Sequence, residues 1–557
     1  MALSILSHSA IWDGFKVKNN LTAETIEETV LKNVVRTKLY LNCGGELDGV
    51  KAFVEIIRKK QSAGSPAVLV INDFEKEEDR LFTETMLSLG YAVVNMDVAG
   101  KRDGKEYFTV YPDGMEYAVY ENKKDDLYRN FENEKQVCWF TWVKVCRNVI
   151  AYLSKQSFFT EIGGFASGEA ATVLWQLAAT ESKLSCAAVF GNAGWQSYRG
   201  FCKFSGEEPQ FTDEELAVAA DIEAQSYAKH VKCPVLLLTA VGDSNFDIDR
   251  AYDTMARISE RVYKATLYSF KRESASRSAV TELKLFYEKF LKGNEELEIA
   301  KEAKLQVSYL DGEVVAETTL STKDPESVRF YYSVGQSFAA KRFYETVRGE
   351  KIKEGVRYRA AFAVSGSADM VTVFVAARYE NGFYICSNIE SVKIPKENKT
   401  TIDDSRIVYS SRITSRSVFF PVKEEYGSSG IDFTGANAVH KKAGPMGVEG
   451  VCSKNGLFTF KVGGDGFFPA YSSVLMFDVY AKEDATLKVS LISDYDGERT
   501  EYYETVELKG GEVWHNVKLD SRNFKTEEGM PLKSYDKIYA LSFSVDGEYL
   551  INNVLWV

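Results

Sequence analysis

Residues 161–175, EIGGFASGEAATVLW, decide how the first half of the chain is read. Apolar residues give way to glycines and then to a helix-forming stretch, the pattern of a strand, a tight turn and a helix. A turn sharp enough to hold a nucleophile above a sheet tolerates only small residues two places before and two places after its centre. Larger side chains there collide with neighbouring backbone. Gly164 and Gly168 meet that need when Ala166 is the centre. Centring on Ser167 puts Phe165 and Glu169 at the crowded places. The reading is therefore that Ala166 fills the turn and that Ser167 opens the helix, its hydroxyl capping a free N–H. Such a turn also suits a phosphate. The dinucleotide version needs an acid after the next strand, and CAAVFGNAG at 186–194 has none.

Around this stretch, residues 1–300 alternate between strands and helices. VVRTKLYLNC and VKAFVEIIRKK flank GGELDG as a hairpin, and SPAVLVIND and YAVVNMDVAG read as buried strands. QVCWFTWVKVCRNVIAYLSKQ at 136–156 reads as a long amphipathic helix, and CPVLLLTAVGD at 233–243 and ATLYSF at 265–270 as later strands. This order predicts a mostly parallel sheet with helices on both faces. From 301 to 412 the pattern changes to short segments of period two, such as SVRFYYSV and MVTVFVAARY, an immunoglobulin-like β-sandwich. Residues 413–557 are again all β and read as a jelly roll.

The totals exclude some functions. The chain has 557 residues, with 68 basic against 80 acidic side chains and a net charge of −12. That argues against nucleic acid and against an anionic membrane surface as partners. No run of 18 apolar residues predicts a transmembrane helix, and MALSILSHSAIWDGF lacks the form of a secretory signal. The eight cysteines contain no C-x-x-C pair and mostly sit in apolar runs, so buried reduced thiols in a cytoplasmic protein are expected. Four scattered histidines predict no zinc site, and neither a metal nor a cofactor is expected.

Several strings carry a resemblance: IWDGF, FTVYPDGMEYAVY, GGFASGEAA, GNAGWQSYRG and VKCPVLLLTAVGDSNFDIDRAYDTM. Residues 1–300 resemble the α/β-hydrolase superfamily, and within it the acetyl-xylan-esterase and dienelactone-hydrolase relatives. The resemblance implies a nucleophile, an acid and a histidine in that chain order. It places Ala166 at the nucleophile and Asp243 at the acid, with Asp247 a nearby alternative. It places the histidine in YSFKRESASRSAV at 268–280, yet no histidine occurs between His230 and His440. It builds the oxyanion hole from the N–H of Ser167 and an N–H of the loop carrying Asp73, a carboxylate that opposes developing negative charge if it points inward. The triad so implied is degenerate.

The last segment resembles carbohydrate-binding-module and galactose-binding jelly rolls, through SVLMFDVYAKEDATLKVSL, GEVWHNVKLD and YLINNVLWV. Sugar binding needs exposed aromatic faces, and Tyr495, Tyr502, Tyr503 and Trp514 are the candidates; for any one of them a cross-strand pair or a core position is the plainer reading. DYDGE at 494–498 and GGDG at 463–466 offer calcium-type oxygens, though Asp-Gly also marks a hairpin turn. Three functions follow as expectations. The first is an inactive hydrolase scaffold binding a saccharide or acylated saccharide. The second is an assembly protein that presents surfaces to protein partners or to copies of itself. The third is a carbohydrate esterase with a non-standard site.

Overall fold

The computed structural model describes residues 11–557 except 19, 61–63, 73, 75–78, 113, 121–136, 195, 199–200, 205–209, 272–273, 354–355, 365–368, 397–405, 413, 415–417, 423–429, 434, 436–437, 464–468 and 496–497. The α/β part is built on β1 (Thr22–Leu31), β2 (Val34–Asn42), β3 (Lys51–Lys59), β4 (Ser65–Ile71), β5 (Ala92–Met96), β6 (Phe159–Ser167), β7 (Leu184–Phe190), β8 (Val235–Ala240) and β9 (Lys264–Ser269). These nine form one sheet in the order β1-β2-β3-β5-β4-β6-β7-β8-β9. From β5 through β9 the neighbours run parallel. The β1–β2, β2–β3 and β3–β5 pairs are antiparallel. The sheet is thus mixed, with the expected parallel core and an antiparallel extension at one edge. The β2–β3 hairpin pairs Asn42 with Lys51 across GGELDG, as the turn residues predict.

The helices are α1 (Arg80–Ser88), α2 (Cys138–Leu153), α3 (Ala171–Thr180), α4 (Asp213–Ile222), α5 (Ala224–Ala228), α6 (Ile248–Arg257) and α7 (Ala279–Phe290). Alternation along each strand sends its side chains to two faces. Leu69, Ile162 and Ala166 pack with Trp139 of α2 and Leu174 of α3. Val68, Phe165 and Ala188 pack on the other face with Phe82 of α1 and Phe286 of α7. Both faces are therefore covered, which is why these strands read as continuous apolar runs.

The described strands of the C-terminal half are antiparallel, except Ile431–Asp432. A four-stranded and a five-stranded sheet between Ala303 and Lys393 face each other across a core with Val314, Tyr358, Phe330 and Val373. The last sandwich joins sheets of six and five strands around Phe477, Val489 and Phe543. Its first strand, Ile407–Tyr409, already pairs with Tyr549–Trp556. The boundary expected between 412 and 413 thus falls after a strand that pairs with the last sandwich. A further short strand, β10 (Ala275–Ser276), pairs in parallel with Ile431–Asp432 from the C-terminal half.

A candidate site at the carboxyl ends of the central strands

The turn after β6 lies two residues later than the glycine spacing suggests. β6 runs on through Ala166 to Ser167, which is extended at φ −132° and ψ 159°. The left-handed residue is Gly168, at φ +59°, and a short 3₁₀ turn from Gly168 to Ala170 leads into α3. The centre is therefore Gly168, and the small residues two places to either side are Ala166 and Ala170, both fully buried. Ala166 is a core residue, in register with Ile71 and Val189. Gly164 serves a different purpose. A Cβ there would stand 2.5 Å from Leu174 Cδ1, so its absence lets α3 close onto β6. Its carbonyl accepts the Tyr287 hydroxyl at 3.0 Å. The Ser167 hydroxyl makes no cap bond to the turn it precedes, contrary to expectation.

With Gly168 at the apex, the following N–H belongs to Glu169. Asn192, left-handed at φ +42° after β7, braces this turn. Its side-chain amide donates to Glu169 O at 3.2 Å and to Thr172 Oγ1 at 2.8 Å, and its carbonyl accepts Trp175 Nε1 at 2.6 Å. Sequence reasoning did not single out Asn192; its signal was an Asx residue between glycines in GNAG. Asp73 lies outside the described residues.

Asp243 sits in the loop after β8, as expected, and is buried. Its Oδ1 accepts the N–H groups of Asn245 and Phe246 at 2.8 and 2.9 Å. Asp247 caps α6, accepting the Asp249 N–H at 2.6 Å. Burial, and then the Asp249 carboxylate, push Asp247 up to about 7. The loop after β9 brings Lys271 where the resemblance calls for a histidine. Its backbone O accepts the Gly242 N–H at 3.0 Å. Its Nζ lies 3.2 Å from Asp432 Oδ2, with both side chains buried. The three described histidines are elsewhere. His230 precedes β8 while Asp243 follows it, so a six-residue strand, about 20 Å long, separates them. His440 and His515 lie in strands of the last sandwich, and His8 is outside the described residues.

Among the described residues, the carboxyl ends of β8 and β9 are packed. Val241 and Tyr268 share one buried apolar cluster with Tyr344 and Phe374 of the middle sandwich and Phe458 and Ile492 of the last. Arg342, completely buried, reaches from the middle sandwich to Asp249 with paired contacts of 2.5 and 2.8 Å. Two further donors bind the carbonyls of Gln336 and Ser337.

On the last sandwich, Tyr502 packs partly buried against the core. Tyr503 faces the other way, with Lys488 Nζ 4.2 Å from its ring centre. Trp514 is held by its Nε1 bond to Pro445 O at 3.3 Å, and a Cβ on Gly444 or Gly450 would come within 2.9 Å of its ring. Tyr495 ends a strand, but its side chain is outside the described set, as are residues of both Asp-Gly turns. No group of three or more metal-type ligands occurs among the described residues.

No protein-family model and no curated protein matches this chain. Solved structures similar to part of it include an acetyl xylan esterase from Paenibacillus sp. R4, at 11% identity and a TM-score of 0.35, covering 47% of this chain and 84% of that one. Acetyl xylan esterase 1 from Thermoanaerobacterium sp. JW/SL YS485 gives 12% identity and a TM-score of 0.33, over 46% of this chain and 82% of that one. A glucuronoyl esterase from Solibacter usitatus gives 11% and 0.31, over 45% of this chain and 77% of that one. These likenesses are remote, and they attach none of those activities to this chain.

Proposed function

We propose that this chain is an α/β-hydrolase-type scaffold that does not carry out triad hydrolysis and works by binding. The apex residue carries the reading. Gly168 holds the strained position at which that fold presents its nucleophile, and it has no side chain. The base position agrees, since Lys271 is paired with a buried carboxylate and no described histidine is near Asp243. A triad needs a nucleophile and a base that takes its proton. The test is turnover of p-nitrophenyl acetate by the full chain. The expected rate equals buffer, both for the natural sequence and for Gly168→Ser, which supplies a hydroxyl but no base. Turnover that disappears in Asp243→Ala would sink the reading.

Protein surfaces are the favoured ligands. The described carboxyl ends of β8 and β9 pack against the two sandwiches, and Tyr502 and Trp514 are packed against the last sandwich's core. Light scattering tests this: self-association or a stable partner complex supports it, and a strict monomer in every preparation counts against it. A saccharide on the last sandwich is the second reading, favoured by the half-exposed Tyr503. A glycan array with Tyr503→Ala as control decides it.

A further inference from the structure

Residues 430–433 fall in sequence between the strands Phe420–Pro421 and His440–Ala443 of the last sandwich. Residues 430–433 lie instead across the carboxyl end of the α/β sheet. The Ala275 N–H donates to Gly430 O at 2.7 Å, and Ile431 and Asp432 run parallel to β10. Gly430 is left-handed at φ +74°, and a Cβ there would fall 2.4 Å from the Phe190 ring. Only glycine passes that point. Ile431 is buried in the cluster that holds Phe82, Phe165 and Phe190. Asp432 meets Lys271, and its Oδ1 accepts the Gly435 N–H at 2.9 Å. The Phe433 ring stands edge-on to Phe82 at 6.4 Å.

We propose that residues 430–433 are a self-inserted strap that shuts a groove above β7 and β9. The groove's complement is an extended peptide of glycine, an apolar residue, an acid and an aromatic residue, in that order. Every specificity element is local to those four positions. They are the backbone edge of β10, the ring that admits only glycine, the apolar slot, the buried ammonium and the Phe82 edge. β10 has no other strand partner among the described residues. The Ala275–Gly430 bond, two register pairs, the Lys271–Asp432 pair and the packing of Ile431 and Phe433 hold the strap in place. On this proposal the strap opens locally, without global unfolding. The device does not depend on whether the chain hydrolyses esters.

Hydrogen exchange on the full chain tests it. Gly430→Leu forces the strap off Phe190. Amides of 187–190 and 275–276 are then expected to exchange about tenfold faster or more, while Leu487–Leu491 and Leu541–Val545 keep their protection. Asp432→Asn, a milder change, is the second variant and shifts the same amides in the same direction. A fluorescent peptide with the sequence of 429–435, SGIDFTG, binds Gly430→Leu and not the unaltered chain, and the peptide carrying Asp432→Lys does not bind. Unchanged exchange at 187–190, loss of protection in the last sandwich as well, or equal peptide binding to both chains would overturn the proposal.

Discussion

Lys271 Nζ and Asp432 Oδ2 lie 3.2 Å apart, buried, and join the α/β part to the strap carried between strands of the last sandwich. Two further pairs complete a ring. Arg342 and Asp249 join the middle sandwich to the α/β part. Lys461 and Glu345, 3.2 Å apart, join the last sandwich to the middle one. All three parts also contribute to one buried apolar cluster. A buried charge without its partner is costly, so these pairs fix how the parts meet even where their net contribution to stability is small.

Arg342→Met leaves Asp249 buried and unpaired, and is expected to destabilise the chain by about 3–5 kcal/mol. Adding Asp249→Leu removes the stranded charge and is expected to recover most of the loss. Urea unfolding of the two variants checks this. A double variant as unstable as the single one contradicts it.

Glu282 on α7 is buried, and its Oε2 has no hydrogen-bond partner among the described residues. Burial pushes it up to about 8, against a weaker pull from Arg378. Because folding raises its affinity for a proton, its contribution is whole below the pH at which an unfolded glutamate titrates. That contribution drains away as pH rises toward about 8. Glu282→Gln is therefore expected to match the natural chain near the acid end and to melt at a higher temperature at pH 8. A melting difference that does not change between those limits contradicts it.

Gly164→Ala drives a Cβ into Leu174, and the overpacking is expected to cost about 1–3 kcal/mol. Ala166→Ser buries a hydroxyl in the α3 face of the core, and is expected to lose about 1–3 kcal/mol while gaining no esterase activity. Chemical unfolding and an ester assay read both. Activity gained by Ala166→Ser would return the centre of the turn to that residue.

All eight cysteines are free thiols, and Cys202 alone among them is only half-buried. Burial raises Cys202, and pushes Cys43, Cys138, Cys233 and Cys386 up to about 12. Ellman's reagent at neutral pH is expected to react first with Cys202, and with the rest only after denaturation. Peptide mapping that finds a different thiol labelled first contradicts this.

The parallel core was legible because strands buried on both faces are apolar throughout. The helix at Cys138–Leu153 was legible because its apolar spacing spans four turns. β1 was not, because TAETIEETVL is mostly exposed and has no apolar face to announce it. The turn was misplaced by two residues because two glycines four apart satisfy the nucleophile pattern. Nothing local shows that Gly164 is instead needed for contact with Leu174. Lys271 was visible where a histidine was sought, but its partner Asp432 lies 161 residues away, beyond any local pattern.

The central claim is that no activated hydroxyl stands at the turn after β6. The direct measurement is the intact mass of the full chain after treatment with a fluorophosphonate, which modifies a serine only where a base activates it. The expected result is an unchanged mass. A single adduct mapped to Ser167 or Ser274 would contradict the account.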